Sequence, residues 1–213
     1  MSSPRRGWFL AFEGPDGSGK TTQSSLLANL LRESGQEVIS CRDPGGTAVG
    51  DRIRSLLLDR SSLIPCLRTE MLLYMASRAQ LVDEVIRPSM ERGCIVISDR
   101  YLLSNLVYQG YAGGLDLEEI AAVGRTATGG LMPDLTILID IATELGRSRI
   151  GTPRDRMEER PEEYHQRVRD GFLKAIETYS SPTIVFDGSG PTHQVEQRIF
   201  KEVSHVLGLH SRS

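Results

Sequence analysis

A glycine-rich stretch near the N-terminus constrains this chain most, because residues 14–22 read GPDGSGKTT. Gly14, Gly19 and Lys20, followed by a hydroxyl residue, have the GxxxxGK[ST] spacing of a phosphate-binding loop. The apolar residues 8–12 before the loop predict a strand, and the residues after it predict a helix. A loop between a strand and a helix N-terminus presents backbone amides to an anion. The alternative, a chance glycine-rich turn, does not explain this strand and helix context.

Apolar runs and helix-like stretches alternate along the rest of the chain, without an internal repeat or a low-complexity block. Each apolar run is compact and lacks polar alternation, which is typical of parallel strands covered on both faces. The predicted strands comprise residues 8–13, 37–41, 94–98, 135–140 and 183–187. The predicted helices comprise residues 20–33, 48–59, 69–92, 102–111, 117–126, 162–179 and 193–207. We therefore expect one α/β domain over residues 1–213, with a five-stranded parallel sheet and helices on both faces.

Composition restricts the partners and the compartment. The net charge is -3 and the pI is about 5.9, so no general attraction to nucleic acid or to a membrane surface is expected. The chain has an odd number of cysteines, Cys41, Cys66 and Cys94, and none of them has CxxC spacing. This argues against a disulfide framework and against a zinc site. The apolar run 8–12 is too short for a signal peptide or a membrane span. We expect a soluble cytoplasmic protein without nucleic-acid or membrane partners.

The glycine-rich loop predicts binding of ATP phosphates. The expected ATP-binding residues are Gly14, Pro15, Asp16, Gly17, Ser18, Gly19, Lys20, Thr21 and Thr22. Lys20 would reach the β and γ phosphates, and the Thr21 hydroxyl would hold a Mg²⁺ ion between them. Asp99 follows the apolar run 95–97 directly and could hold the same Mg²⁺ through water. A turn or capping role is an equal alternative for Asp99.

The phosphate loop does not distinguish hydrolysis from transfer to a second molecule. The chain has no NKxD-like base-recognition stretch, which disfavours a GTPase switch. Arg42, Arg54 and Arg100 follow predicted strands, at the edge where open α/β sheets bind ligands, and could orient an acceptor phosphate. Tyr74 and Arg78 lie four residues apart, so one helix face could offer a ring and a guanidinium to a flat base. Core packing is an equal alternative for Tyr74.

Several segments, in order, resemble those of bacterial thymidylate kinases with a basic lid: GPDGSGKTTQ, RDPGGT with IRSLLL, SRAQL, DRYLLSNLVYQG, PDLTILID and DRMEERPEEYHQRVRDGFL. The resemblance extends from about residue 12 to residue 187, and DRY followed by SNxxYQG is its most specific part. It implies a P-loop nucleoside monophosphate kinase-like fold. It also implies Mg²⁺-dependent transfer of the ATP γ-phosphoryl group to thymidine monophosphate (dTMP), giving the diphosphate for dTTP biosynthesis, by a homodimer.

The resemblance assigns roles around the acceptor phosphate and sugar. Arg54 and Arg100 would bind the acceptor phosphate, and Asp16 would contact the 3′ hydroxyl of the sugar. Tyr108 would crowd the sugar and disfavour a ribose 2′ hydroxyl. Asp43 stands where the family usually has glutamate, one methylene longer.

The resemblance also places the thymine base. Tyr74 would stack on it, where phenylalanine is more usual in the family, and Arg78 would face a ring carbonyl. The polar edge around the base would be completed by Ser104, Asn105 and Gln109. Such an edge can discriminate strongly, because a wrong base leaves buried polar groups unpaired.

Residues 147–160 would form a lid that closes over ATP and excludes water. Some thymidylate kinases carry a catalytic arginine inside the phosphate loop, and this loop has none. The predicted catalytic set therefore combines Lys20, Asp16 and Arg100 with the lid arginines Arg149, Arg154 and Arg156. For each single lid arginine, solvation on a charged surface loop is an equal alternative.

Two other functions compete with a thymidylate kinase. The first is another P-loop deoxynucleotide or deoxynucleoside kinase, which acceptance of thymidine itself would favour. The second is a nucleotide-binding switch or sensor, which would bind nucleotide without transferring phosphate to an added nucleotide.

Overall fold

The computed structural model of the chain describes residues 6–59, 64–151 and 158–209. In these residues five parallel strands form one sheet with the order β2-β3-β1-β4-β5. The strands are β1 (Phe9–Glu13), β2 (Val38–Arg42), β3 (Ile95–Asp99), β4 (Leu135–Asp140) and β5 (Thr183–Asp187). The predicted five-stranded parallel sheet is confirmed, and each predicted strand end is displaced by no more than 1 residue.

Helices connect the strands. They are α1 (Lys20–Glu33), α2 (Ala48–Leu58), α3 (Leu67–Leu81), α4 (Arg87–Glu91), α5 (Leu102–Asn105), α6 (Leu117–Thr128), α7 (Thr143–Ile150), α8 (Glu162–Ala175) and α9 (Thr192–Leu207). Two π-helical turns, Val82–Ile86 and Leu106–Tyr111, join α3 to α4 and extend α5. The predicted helix 69–92 is therefore three consecutive helical segments, and the predicted helix 162–179 ends earlier, at Ala175.

Helix α7 was not predicted, because its 8 residues, TELGRSRI, are mostly polar and show no apolar stripe. Its last four residues, 147–150, belong to the predicted lid. Residues 152–157 of that lid lie outside the described residues.

The core lies on both faces of the sheet, because successive side chains of a strand point to opposite sides. In β1, Leu10 and Phe12 pack against apolar residues of α1 and α9. Phe9 and Ala11 pack on the other face against α3 and α6. All four side chains are 0% exposed. The expected covering of both faces is confirmed.

The sheet topology brings the candidate site residues to one edge. The connection after β1 leads to β2 at one edge of the sheet, whereas the connection after β3 leads to β4 in the opposite half. The direction of the connections therefore reverses between the neighbouring strands β1 and β3. Open α/β sheets bind ligands at such a point, beyond the carboxyl ends of the strands. None of the described helices has the length and apolar composition needed to cross a bilayer.

Candidate active site

A cavity of about 930 Å³ opens at the carboxyl edge of the sheet. The phosphate loop and residues 188–192, which follow β5, line part of it. Tyr74 and Arg78 of α3 line it as well, together with Asn105 and residues of the following π-helical turn. One continuous cavity therefore joins the predicted donor residues to the predicted acceptor residues.

Glycine is required at two positions of the phosphate loop. Gly14 has a φ of 138° and Gly17 a φ of 76°, which side-chain-bearing residues rarely adopt. A Cβ atom at Gly14 would collide with the carbonyl oxygen of Ile139, and one at Gly17 with the carbonyl oxygen of Gly146. The loop is thus held between β4 and α7, and it leads into the N-terminus of α1.

Lys20, the first residue of α1, is buried inside the loop with 6% of its surface exposed. Its Nζ donates a hydrogen bond to the carbonyl oxygen of Pro15 at 2.7 Å. Burial and the nearby Arg100 guanidinium lower the pKa of Lys20 to about 8, although Asp16 and Asp99 act in the opposite direction. A phosphate placed beside Nζ would favour the charged ammonium form.

Thr21 and Asp99 form an oxygen-rich corner of the cavity. The Thr21 hydroxyl donates a hydrogen bond to Asp99 Oδ2 at 2.5 Å, which ties the start of α1 to the end of β3. Hydroxyl and carboxylate oxygens are hard ligands of the kind that Mg²⁺ takes together with water and phosphate oxygens. Residues 6–59, 64–151 and 158–209 contain no cluster of three or more His, Cys, Asp or Glu side chains that could hold a metal ion. The donor set fits Mg²⁺ bound alongside a nucleotide.

Arg100 follows β3 with a φ of 74°, which is uncommon for a residue other than glycine and indicates a constrained backbone. Its guanidinium donates to the carbonyl oxygen of Gly14 at 3.1 Å, to Ser104 Oγ at 3.0 Å and to the Asp16 carboxylate. The Tyr108 hydroxyl donates to the other Asp16 oxygen at 2.9 Å. Burial would raise the pKa of Asp16, but Arg100 and Lys20 hold it below its usual value.

Glu13, the last residue of β1, lies directly beneath the Arg100 turn and is 0% exposed. Its carboxylate accepts the backbone N–H groups of Tyr101 at 2.8 Å and Ser104 at 3.2 Å, and the Ser104 hydroxyl at 2.5 Å. Burial raises the pKa of Glu13 to about 7, although these hydrogen bonds and Arg100 favour its charged form. Glu13 therefore fixes the turn that carries Arg100.

Arg78 is held rigidly at the acceptor end, with 1% of its surface exposed. Its Nε donates to Asp43 Oδ2 at 2.5 Å, and its Nη2 to the carbonyl oxygen of Tyr101 at 3.2 Å. Its Nη1 contacts Met75 Sδ at 3.2 Å. Asp43 thus reaches the guanidinium in spite of its short side chain. A guanidinium has five N–H donors, so each terminal nitrogen retains one for another partner.

A chain of side-chain hydrogen bonds borders the same end of the cavity. Asn105 Nδ2 donates to Gln109 Oε1 at 2.9 Å, and Gln109 Nε2 donates to Glu70 Oε1 at 2.8 Å. These three side chains are almost completely buried. Asn105 Oδ1 is buried and has no hydrogen-bond partner among the described residues. Because buried acceptors are normally satisfied, this oxygen marks a place for a donor from a ligand.

Two predicted arginines of the site occupy opposite parts of the cavity. Arg54 of α2 donates to the carbonyl oxygen of Pro44 at 2.9 Å, beside Asp43. Arg149 of α7 donates to the carbonyl oxygens of Gly188 at 2.9 Å and Ser189 at 3.3 Å. The predicted lid residues Arg154 and Arg156 lie outside the described residues.

Comparison with known proteins agrees with this geometry. The model of the thymidylate kinase family matches residues 12–199. The chain belongs to the thymidylate kinase family. The resemblance in its sequence motifs is therefore confirmed, as are its α/β P-loop kinase fold and its enzyme class.

Individual thymidylate kinases are similar over nearly the whole chain. The protein of Caldanaerobacter subterraneus subsp. tengcongensis is 45% identical over 203 residues, which cover 95% of this chain and 97% of that protein. The thymidylate kinase of Deinococcus radiodurans is 44% identical over 202 residues, covering 93% and 97%. That of Exiguobacterium is 41% identical over 197 residues, covering 91% and 92%.

Some residues that line or support the cavity of this thymidylate kinase are not marked by the sequence motifs. Residues 188–192 line the cavity next to Arg149, and their position directly after the last predicted strand could have indicated them. Glu13 and Glu70 lie behind the cavity wall, and no spacing pattern in the sequence marks either of them. Their importance is visible only from their burial and their partners.

Proposed function

We propose that this chain transfers the γ-phosphoryl group of ATP to dTMP and so forms thymidine diphosphate, a step of dTTP biosynthesis. One observation supports this proposal most strongly. The phosphate loop lines the same cavity as Arg78 and Asn105, which form a base-reading edge. Membership of the thymidylate kinase family supports the same reaction.

In the donor half, we assign the ATP phosphates to the loop amides and Lys20, because helix N-termini and buried ammonium groups attract anions. Thr21 and Asp99 would hold Mg²⁺, and the ion would neutralise charge on the phosphate oxygens during transfer. We assign the nucleoside of ATP to the part of the cavity that Arg149 and residues 188–192 line. A catalytic contact from Arg154 or Arg156 remains our expectation for the lid.

In the middle of the cavity, we assign the acceptor phosphate to Arg100 and Arg54. Arg100 is pre-positioned by its bonds to Gly14 and Ser104, so little side-chain entropy is lost when an anion binds. Asp16 would accept a hydrogen bond from the 3′ hydroxyl of the sugar. Arg100 Cζ lies 5.1 Å from the centroid of the Tyr108 ring. We expect this ring to exclude a ribose 2′ hydroxyl.

In the acceptor half, the hydrogen-bonding groups match the edge of thymine. That edge presents the carbonyl O4 and the N–H at position 3. Arg78 has donors left for a carbonyl oxygen, and Asn105 Oδ1 is an acceptor without a protein partner among the described residues. Tyr74 lines the same space and would stack on the ring. Cytosine would place an amino group against the guanidinium, so the site should disfavour it.

We further propose that the enzyme is a cytoplasmic homodimer. Three large apolar side chains on the neighbouring helices α2 and α3 stay exposed: Val49 at 48%, Leu56 at 42% and Leu72 at 48%. Burial of these side chains against a second copy would be favourable. Cys41, Cys66 and Cys94 are all free thiols, as expected in a reducing compartment.

The test is ADP formation with each deoxynucleoside monophosphate and with thymidine. We expect dTMP to be the preferred acceptor and thymidine to be inactive. Arg78→Ala should lower kcat/KM for dTMP by about ten to a hundredfold through loss of a charge-assisted hydrogen bond, with ATP affinity retained. Arg92→Ala, which truncates an exposed arginine, is the control. Equal use of dCMP, or wild-type activity of Arg78→Ala, would refute the assignment.

A further inference from the structure

A buried carboxylate lies behind the base-reading edge. Glu70, in the first turn of α3, has 1% of its surface exposed, and its Oε1 accepts a hydrogen bond from Gln109 Nε2 at 2.8 Å. A carboxylate buried in this way is costly unless hydrogen bonds stabilise it. None of the transfer steps proposed above uses Glu70, so its burial calls for another explanation.

The chemistry of a carboxylate dictates the orientation of its neighbours. A carboxylate accepts hydrogen bonds and donates none, so Gln109 must turn its NH₂ group toward Glu70. The carbonyl oxygen of Gln109 then faces Asn105 and accepts from Nδ2 at 2.9 Å. Asn105 consequently directs its own NH₂ group at Gln109 and keeps Oδ1 for a ligand. The buried Oδ1 without a protein partner among the described residues agrees with this orientation.

We propose that Glu70 is a positioning residue that sets, through Gln109, which side of the Asn105 amide faces the bound base. The inference rests on the proposed function and deepens it, because it explains why the site selects a ring with an N–H at position 3. Thymine and uracil carry that N–H, whereas cytosine carries an acceptor nitrogen there. Glu70 acts on specificity without touching the substrate.

Glu70→Gln removes the constraint with almost no change in volume. An amide can turn either its carbonyl oxygen or its NH₂ group toward Gln109. When the NH₂ group faces Gln109, both amides of the chain can reverse, and Asn105 then presents Nδ2 to the base. That donor matches the position-3 nitrogen of cytosine and opposes the N–H of thymine. The variant therefore has two amide orientations where the wild type has one.

The experiment compares kcat/KM for dTMP, dUMP and dCMP at saturating ATP. In Glu70→Gln we expect the dTMP-to-dCMP ratio to fall about tenfold or more, because one buried hydrogen-bond mismatch is removed. The dTMP-to-dUMP ratio should change less than about twofold, since both bases present the same N–H and carbonyl. Glu33→Gln, at an exposed position of α1, should change neither ratio. An unchanged dTMP-to-dCMP ratio, or equal losses for all three acceptors, overturns the proposal.

Gln109→Met provides a second, independent break in the same chain. It should also lower the dTMP-to-dCMP ratio selectively, and the double variant with Glu70→Gln should add little, because both changes release one amide. Additive effects would contradict the proposal.

Asn105→Ala separates this inference from the proposed function. If Asn105→Ala leaves dTMP use unchanged, the base site itself is misplaced. If it weakens dTMP use while Glu70→Gln leaves the ratio intact, only the positioning role fails.

Discussion

Glu13→Gln should change how the stability of this enzyme depends on pH. Glu13 is 0% exposed, and burial raises its pKa from 4.5 to about 7. In the unfolded chain the carboxyl regains its ordinary pKa. Between these two values the folded protein holds a proton that the unfolded chain releases. The free energy of unfolding therefore falls as pH rises through this window.

The size of the effect follows from the two pKa values. A shift of one pKa unit corresponds to about 1.4 kcal/mol, and the linkage integral between about pH 5 and about pH 8 amounts to about 2 to 3 kcal/mol. Glutamine has no proton to lose, and it can still accept the Tyr101 and Ser104 backbone N–H groups. The variant should therefore gain about 2 to 3 kcal/mol relative to wild type on going from about pH 5 to about pH 8.

Urea unfolding at several pH values, followed by circular dichroism, measures this difference. Glu33→Gln, which changes an exposed glutamate of α1, is the matched control and should follow the wild-type profile. Parallel pH profiles for Glu13→Gln and wild type would refute the reasoning, because they would mean that Glu13 titrates alike in the folded and unfolded states. A gain that appears only below about pH 5 would contradict the sign of the linkage.

Three further predictions concern binding and assembly. The pKa of Lys20 is about 8, so its ammonium group loses its proton above that pH. The affinity for a non-hydrolysable ATP analogue, measured by calorimetry, should therefore fall about tenfold from about pH 8 to about pH 9.5. The affinity of Lys20→Arg should not change with pH over this range. Thr21→Ala should raise the Mg²⁺ concentration for half-maximal rate about tenfold and leave the dTMP-to-dCMP ratio unchanged; an unaltered Mg²⁺ dependence would exclude Thr21 as a ligand. Leu72→Glu should raise the dimer dissociation constant at least about tenfold in sedimentation, because a charge would be buried in the interface. A dimer as stable as wild type would place the interface elsewhere.

The elements that the sequence predicted well are those with local causes. The phosphate loop needs Gly14 and Gly19 for its own backbone geometry, because both have a positive φ, and the GxxxxGK pattern reveals that need. The parallel strands are compact apolar runs, so their limits were predicted to within 1 residue. Helix α7 was not predicted because it is short and polar. The π-helical turns were not predicted because they continue the helical pattern of the neighbouring segments without a break.

The acceptor residues were predicted from their match to family motifs, and their binding role stays a prediction. Arg78, Asn105 and Tyr108 do line the cavity with the phosphate loop. The orientations of Arg78 and Tyr108 could not be read from the sequence, because each is set by a partner distant in the chain. Arg78 bonds to Asp43, 35 residues away, and Tyr108 bonds to Asp16, 92 residues away.

The sequence by itself determined a nucleotide-binding α/β kinase, since glycine geometry, strand apolarity and motif order are properties of short segments. Only the tertiary structure showed that Glu13 supports the Arg100 turn, and only its contacts support our proposal that Glu70 orients the amides of Gln109 and Asn105. These roles depend on burial and on hydrogen bonds that span 88 and 39 residues of chain. Folding removes water from both carboxylates, and this desolvation turns two ordinary glutamates into groups that fix the geometry of the site.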